Sequence, residues 1–117
     1  MSDSIENLRQ QLSLFAQKRD WEQYHSPKNL SMALIAEAAE LIEHFQWLTE
    51  EQSHQLADEQ LHEVSLELAD IFIYLIRISD QLDVDLIAAA EEKMAINEKR
   101  FPVSGEGSAN FHGEPRR

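Results

Sequence analysis

Hydrophobic and polar positions alternate along the chain with the period of an α-helix, and this pattern predicts four helices of uneven length. The apolar positions of the first helix are Ile5, Leu8, Leu12 and Phe15. This helix should start near Asp3 or Ser4, where Asp3 with Glu6 resembles a capping box, and end between residues 20 and 24.

The later helices are predicted from their start and stop signals. Ser26 can cap a helix and Pro27 suits its first position, so a second helix is expected over residues 27–48. Thr49 with Gln52 offers another capping box, which predicts a short helix or an exposed turn before a long third helix at 58–82. "DVD" at 83–85 can cap a fourth helix, which should run to about residue 100 and stop before Pro102.

Composition supports an all-α protein with one domain. The chain has 117 residues with three Gly and three Pro, and sheet-forming patterns are weak. We expect the domain to cover residues 1–102 and a flexible C-terminal tail to cover 103–117, where Gly, Ser and charged residues prevail. The later helices are apolar on more than one side, which predicts that they also pack against other copies of the chain.

Charge limits the possible partners. The formal net charge is −12, which argues against a nucleic-acid polymer as ligand, although divalent cations held by carboxylates could still attract a small phosphate compound. The amino terminus has no basic and apolar signal pattern, and no apolar run is long enough for a membrane span, so a cytoplasmic protein without membrane contact is expected.

Four acidic residues interrupt the apolar helices. Glu37 and Glu40 lie three positions apart in "ALIAEAAELI", and Glu67 and Asp70 repeat this spacing in "ELADIFIYLIRI". A single pair of this kind usually belongs to a solvated face. Two pairs on consecutive antiparallel helices could bring four carboxylates together, and these would require a counter-charge such as Mg²⁺ or Mn²⁺.

Longer blocks carry a resemblance to a known family. "RDWEQYHSPKNLSMALIAEAAELIEHFQWL", "ELADIFIYLIRISDQLDVDL" and "KMAINEKRFP" resemble the all-α nucleoside triphosphate pyrophosphohydrolases of the MazG-like superfamily, and most of all their dCTP pyrophosphatase branch. The family's metal signature is E-x-x-E, a spacer and E-x-x-D, which Glu37, Glu40, Glu67 and Asp70 match. The resemblance implies a four-helix bundle of MazG-like type whose helices pack between subunits, as a homotetramer built from two dimers.

The resemblance also implies an activity. Family members cleave a nucleoside triphosphate between its α and β phosphates, releasing a monophosphate and pyrophosphate. By this resemblance the four acids bind Mg²⁺, with Mn²⁺ as an alternative, and dCTP or a related dNTP is the expected substrate. Glu40, together with Glu37, is the expected catalytic carboxylate and Glu40 the expected general base, since a carboxylate not fully used as a ligand can accept a proton.

The substrate-binding residues implied by the resemblance fall in three blocks. Trp21 and Trp47 would stack on the base, although each could instead be an ordinary core residue. His25 and Asn29 would hydrogen-bond to base or sugar. The phosphate and sugar contacts would come from Lys93, Asn97 and Arg100, although basic residues near a helix end also simply complement its dipole. Phe101 stands where close relatives often have Tyr, which could alter substrate preference.

Three alternatives remain at this stage. Glu51 with His54 and Glu59 with His62 have the Glu-x-x-His spacing of a di-iron carboxylate bundle, but they lie in a polar stretch. A helical metal-binding or interaction protein without catalytic activity is the second alternative. The third is an enzyme that prefers dUTP or accepts many dNTPs, because the shape of the base pocket cannot be deduced from a sequence.

Overall fold

The computed structural model of the protein describes residues 2–103 and contains five α-helices, a single 3₁₀ turn and no strand in that range. The helices are α1 (Ser2–Lys18), α2 (Pro27–Glu43), α3 (Glu50–Ser53), α4 (Asp58–Gln81) and α5 (Leu86–Arg100), and the 3₁₀ turn is Glu22–Tyr24. The all-α class predicted from the sequence is confirmed. Residues 104–117 of the predicted tail lie outside the described residues.

Three predicted helix starts are confirmed by the side chains that cap them. The Ser26 hydroxyl accepts a hydrogen bond from the Asn29 backbone N–H, with Pro27 at the first helical position. Thr49 and Gln52 form the reciprocal capping box of α3. Asp85 accepts a hydrogen bond from the Ala88 backbone N–H at the start of α5. These side chains satisfy backbone donors that a helix start leaves unpaired.

The first helix ends at Lys18, before the predicted range of 20–24, because Asp20 adopts a left-handed backbone conformation with φ of 59°. The Asp20 N–H donates to the Gln17 carbonyl and the Trp21 N–H donates to the Ala16 carbonyl. This pair of bonds is a Schellman motif, in which the left-handed residue is usually Gly. The chain then turns through Glu22–Tyr24 toward α2.

The second helix ends at Glu43, so its predicted extension to Leu48 is wrong. Both Phe45 and Gln46 donate their backbone N–H to the Ile42 carbonyl, and the chain continues in tight turns. The Gln60 side-chain amide, from α4, donates to the His44 carbonyl at 3.3 Å and satisfies it without a further helical turn. The apolar periodicity of the sequence continues past Glu43, and periodicity carries no information about a hydrogen bond from a distant helix.

The structure divides into two compact units, one ending at Val84 and one beginning at Asp85. In the first unit α2 and α1 both pack on α4. Contacts between α2 and α4 show that they run antiparallel, since His44 meets Gln60 while Glu37 lies beside Glu67 and Asp70. The antiparallel arrangement predicted for the two acid-bearing helices is therefore present. The second unit contains α5.

The interior is small for a chain of this length. Its buried apolar side chains among the described residues are Ala16, Leu30, Val64 and Ile76. Many large apolar side chains are exposed instead, including Ile35, which is 68% exposed on α2.

No helix within residues 2–103 combines the length and the hydrophobicity required to cross a membrane. The longest, α4, has 24 residues, but acidic and basic side chains interrupt it from its first turn to its last.

Candidate active site

Three of the four predicted acids form a cluster between α2 and α4. Glu37 projects from α2 and Glu67 and Asp70 project from α4, with one carboxylate oxygen of each lying within 4.8 Å of the other two. The spacing of three places Glu67 and Asp70 on the same face of α4, as predicted. We call these three residues the carboxylate cluster.

The carboxylate cluster is short of hydrogen-bond partners. Glu37 and Glu67 are half-buried, and when both are charged the Oε1 atom of each is buried with no hydrogen-bond partner in the described part of the chain, whereas a protonated Glu37 can donate to Glu67. Buried polar atoms are nearly always paired, so two buried oxygens without a partner favour a site that binds water or an ion. Oxygen ligands at this separation fit a hard divalent cation such as Mg²⁺, which takes carboxylates and keeps some of its waters.

Electrostatics within the cluster point the same way. Burial of Glu37, which disfavours its charged form, raises its pKa to about 7, and repulsion by Glu40 and Asp70 contributes further, as do a hydrogen bond to Glu67 and repulsion by it. The pKa of the Tyr74 phenol is also raised, by burial and then by Glu37 and Asp70. A cation at this place would relieve both effects, since a nearby positive charge favours the charged form of an acid.

Glu40 does not belong to the carboxylate cluster. It is exposed on α2, one turn after Glu37, yet close enough for its charge to raise the pKa of Glu37. Of the four carboxylates predicted as metal ligands, three are therefore clustered and the fourth lies beside them, and their role as ligands stays a prediction. Its position leaves Glu40 accessible to water.

A pocket of about 280 Å³ adjoins the carboxylate cluster. It is lined by Leu12, Phe15, Ala16, Trp21, His25, Asp70, Ile73, Tyr74 and Arg77. Asp70 belongs to both the pocket and the cluster. The Phe15 and Trp21 rings meet edge to face with centroids 5.6 Å apart, and the Trp21 and His25 ring centroids are 5.9 Å apart. Flat apolar walls with a few polar groups are the usual lining of a small-molecule site.

The predicted residues Trp21 and His25 therefore share one pocket wall, which the turn after α1 creates. Because Asp20 reverses the chain, Trp21 folds back over Phe15 and Ala16, and the 3₁₀ turn then delivers His25 to the same side. The pKa of His25 is lowered, chiefly by burial and then by the positive charge of Arg77, while Glu22 raises it.

Two other predicted contacts lie outside this pocket. The Asn29 side-chain amide donates to the Tyr24 carbonyl at 3.0 Å and so braces the loop before α2. Trp47 is 87% exposed in the turns after α2. Both remain predicted substrate contacts.

The three predicted phosphate and sugar contacts are all on α5, in the second unit. Lys93 and Arg100 are exposed and Asn97 is half-buried. Lys99 and Arg100 occupy the last turn of α5, where positive charge complements the helix dipole.

Within residues 2–103, the carboxylate cluster is the group of potential metal ligands that the fold brings together. The alternative di-iron pairs do not assemble. Glu51 lies in the first turn of the short α3 and His54 caps its end, and Glu59 and His62 are exposed on the first two turns of α4.

Sequence reasoning missed Arg77, which is only 3% exposed and lines the pocket. A signal was available: Arg77 stands alone in the apolar run "IFIYLIRI", with Asp80 three positions later as a possible partner. Phe15 and Tyr74 were likewise missed, because an aromatic residue at helical spacing is usually a core residue and only the fold shows that these two face a pocket.

Comparison with known proteins decides the family. The sequence profile described as the MazG-like family matches residues 33–111, which include all four predicted acids. The chain belongs to the MazG-like family. A solved structure of similar fold is a pyrophosphatase from Archaeoglobus fulgidus, with a TM-score of 0.81 and 36% sequence identity over 86% of this MazG-like chain and 94% of that one.

Characterised relatives of this MazG-like chain include dCTP pyrophosphatase 1 of Bos taurus, at 41% identity over 102 residues, and dCTP pyrophosphatase 1 of Homo sapiens, at 40%. Each alignment covers 86% of this chain and 60% of the relative's own length. The family membership predicted from the sequence is thereby confirmed.

Proposed function

We propose that this chain is a nucleoside triphosphate pyrophosphohydrolase that hydrolyses dCTP or a related dNTP to a monophosphate and pyrophosphate. The observation that carries the proposal is that the carboxylate cluster lies next to the pocket lined by Trp21, with Asp70 belonging to both. A base held in the pocket would direct the attached phosphates toward the three carboxylates. The named activity of the pyrophosphatase relatives supports the same assignment.

The carboxylate cluster would hold Mg²⁺, or Mn²⁺ in its place, through Glu37, Glu67 and Asp70. Such a cation neutralises phosphate charge and lowers the pKa of water bound to it. Without one, three acidic groups within 4.8 Å would repel the triphosphate they are meant to receive. The buried, unpaired oxygens of Glu37 and Glu67 supply the ligand atoms.

In the proposed reaction, the water oxygen forms a bond to phosphorus as the bond between the α and β phosphate groups breaks, and pyrophosphate leaves. Glu40 would accept the proton that the water loses. This role suits Glu40 because it is exposed, lies one helical turn from Glu37 and does not belong to the carboxylate cluster. Trp21, with Phe15 beside it, would stack on the base, and Lys93, Asn97 and Arg100 would contact phosphate and sugar.

The deciding experiment is pyrophosphate release from dNTPs, NTPs and 5-modified dCTP with Mg²⁺. We expect turnover of dCTP and its relatives, with loss of at least 100-fold in Glu37→Gln and Asp70→Asn, because each removes a ligand charge. Glu43→Gln, an exposed α2 residue outside the cluster, is the matched control. If the folded protein released pyrophosphate from none of these nucleotides, the proposal would be contradicted. Faster release from dUTP than from dCTP would change the assigned base preference.

We further propose a homotetramer built from two dimers. Apolar stripes on α2 and α4 support it, since α2 exposes Met32, Ile35 and Ile42 and α4 exposes Leu61, Leu68, Phe72 and Leu75 along one side each. A second copy of the chain would cover these stripes.

A further inference from the structure

Arg77 is buried in a position where an apolar residue would ordinarily lie. Its Nη1 atom is 3.5 Å from Asp80 Oδ2, and the other oxygen of Asp80 accepts a hydrogen bond of 2.9 Å from Arg9 on α1. Asp80 thus accepts hydrogen bonds from the guanidinium groups of both Arg77 and Arg9 and holds Arg77 in place.

This anchoring is incomplete. The Nε atom of Arg77 is buried with no hydrogen-bond partner in the described part of the chain. A buried donor without a partner lowers stability, and replacing a buried ionic group by an apolar one of similar volume is often neutral or stabilising. Stability therefore does not explain Arg77, which points to a role in the pocket it lines.

The pocket group that Arg77 contacts is His25. Arg77 Nη2 lies 3.4 Å from His25 Nδ1. Arginine carries donors only and keeps its proton at all accessible pH values, so the bond can run in one direction only. Nδ1 must then be the unprotonated acceptor, and the single proton of a neutral imidazole must be on Nε2.

Burial and the surrounding charges both act on His25. Burial disfavours the charged form most, Arg77 on α4 disfavours it further, and Glu22 in the 3₁₀ turn favours it, so the pKa of His25 is lowered. Asp80 and Arg9 lie beyond Arg77, and Asp70 and Tyr74 share the pocket wall. A neutral ring that accepts from Arg77 at Nδ1 has its one proton on Nε2.

We propose that Arg77 is a positioning residue that fixes His25 as the Nε2–H tautomer, so that the pocket presents a hydrogen-bond donor to an acceptor atom of the bound base. The use of this donor rests on the proposed function. Cytosine offers two neighbouring acceptors, O2 and N3, on its pairing edge, and either of them can accept a hydrogen bond from the Nε2–H of His25.

The first test is ¹⁵N NMR of the histidine rings in the full chain near neutral pH, with His25→Gln to assign the signal. We expect the Nε2–H form in the wild type, and a mixture of tautomers with a pKa closer to 6.5 in Arg77→Met. Asp80→Asn, which loosens Arg77 without removing it, should give an intermediate result. An Nδ1–H wild-type ring, or an unchanged ring in Arg77→Met, would overturn the proposal.

The second test separates positioning from folding. Arg77→Met should raise KM for dCTP about 3- to 10-fold, which is what one weakened hydrogen bond costs, while thermal stability stays equal or rises. Glu6→Gln, which breaks only the outer pair with Arg9, is the control and should change neither value. An unchanged KM in Arg77→Met would overturn the role of the donor.

Failure of the proposed function has a different signature. Wild-type protein would then release no pyrophosphate from any nucleotide, while the NMR comparison would still show whether Arg77 fixes the His25 tautomer.

Discussion

At the scale of single residues, Glu37 combines two conflicting properties. It must be charged to hold the divalent cation proposed here, yet burial, and then neighbouring acids, raise its pKa to about 7. In the metal-free protein much of the Glu37 population is therefore protonated near neutral pH. Cation binding would displace that proton, so affinity for the cation should increase as pH rises through about 7.

The same shift predicts how stability depends on pH. Because the folded-state pKa is about 7 and the ordinary value is 4.5, the folded state binds the Glu37 proton more tightly. Its contribution to stability is complete below pH 4.5 and is lost as pH rises through about 7. In urea unfolding with EDTA, wild type should lose stability relative to Glu37→Gln over this interval. Parallel pH profiles for the two proteins would contradict the shifted pKa.

Trp21 gives a prediction about binding. Stacking of a base on an aromatic side chain is worth about 1–3 kcal/mol, so Trp21→Ala should weaken nucleotide binding roughly tenfold or more. Isothermal titration with a non-hydrolysable dCTP analogue measures the effect. Tyr24→Ala removes an exposed aromatic ring three residues away, outside the pocket lining, and should bind normally. Equal affinity of the two variants would mean that the base lies elsewhere.

At the scale of helices, the sequence predicted what short-range chemistry determines. Caps at Ser26, Thr49 and Asp85 each involve a side chain and a backbone N–H three residues on, so local spacing was enough. The end of α2 depends on Gln60 from another helix, and the Arg77 contact with His25 joins residues 52 positions apart. Interactions of that range depend on the packing of the helices, which periodicity does not specify.

The end of α1 yields a prediction that links stability to the pocket. Asp20 adopts φ of 59°, which Gly tolerates freely and a β-branched residue does not. Asp20→Val should lower the free energy of unfolding by about 1–2 kcal/mol, because valine would be strained in the left-handed conformation. It should also increase KM, because this turn places Trp21 in the pocket wall. Asp20→Gly should retain both values. The measurements are urea unfolding and steady-state kinetics, and a fully stable valine variant would show that the left-handed turn is dispensable.

At the scale of the whole molecule, burial does not match hydrophobicity. Hydrophobic residues make up 43% of the chain, yet the fully buried apolar residues among those described are few. The excess lies on exposed helix faces, so the apolar helix surface predicted from the sequence is present. The proposed tetramer would cover it.

Assembly is tested by sedimentation velocity. Wild type should sediment as a tetramer, and Ile35→Glu, which buries a charge if the α2 stripe is an interface, should shift the population to smaller species. Gln17→Glu adds the same charge on an exposed α1 position outside the stripes and should sediment as wild type. A monomeric wild-type protein would contradict the tetramer, and a tetrameric Ile35→Glu would remove the α2 stripe from the interface.

The two tryptophans of the chain differ in their surroundings, and this makes the protein its own optical probe. Trp21 stands in an aromatic wall at 41% exposure, whereas Trp47 is 87% exposed. Emission from Trp47 should therefore lie at longer wavelength than emission from Trp21. If subunits cover the surface around Trp47, its emission should shift to shorter wavelength on association and shift back on dilution. With Trp47→Phe the remaining emission comes from Trp21 and reports on nucleotide entry, whereas Trp21→Phe leaves Trp47 to report on subunit association, so the two events can be followed separately without any attached dye.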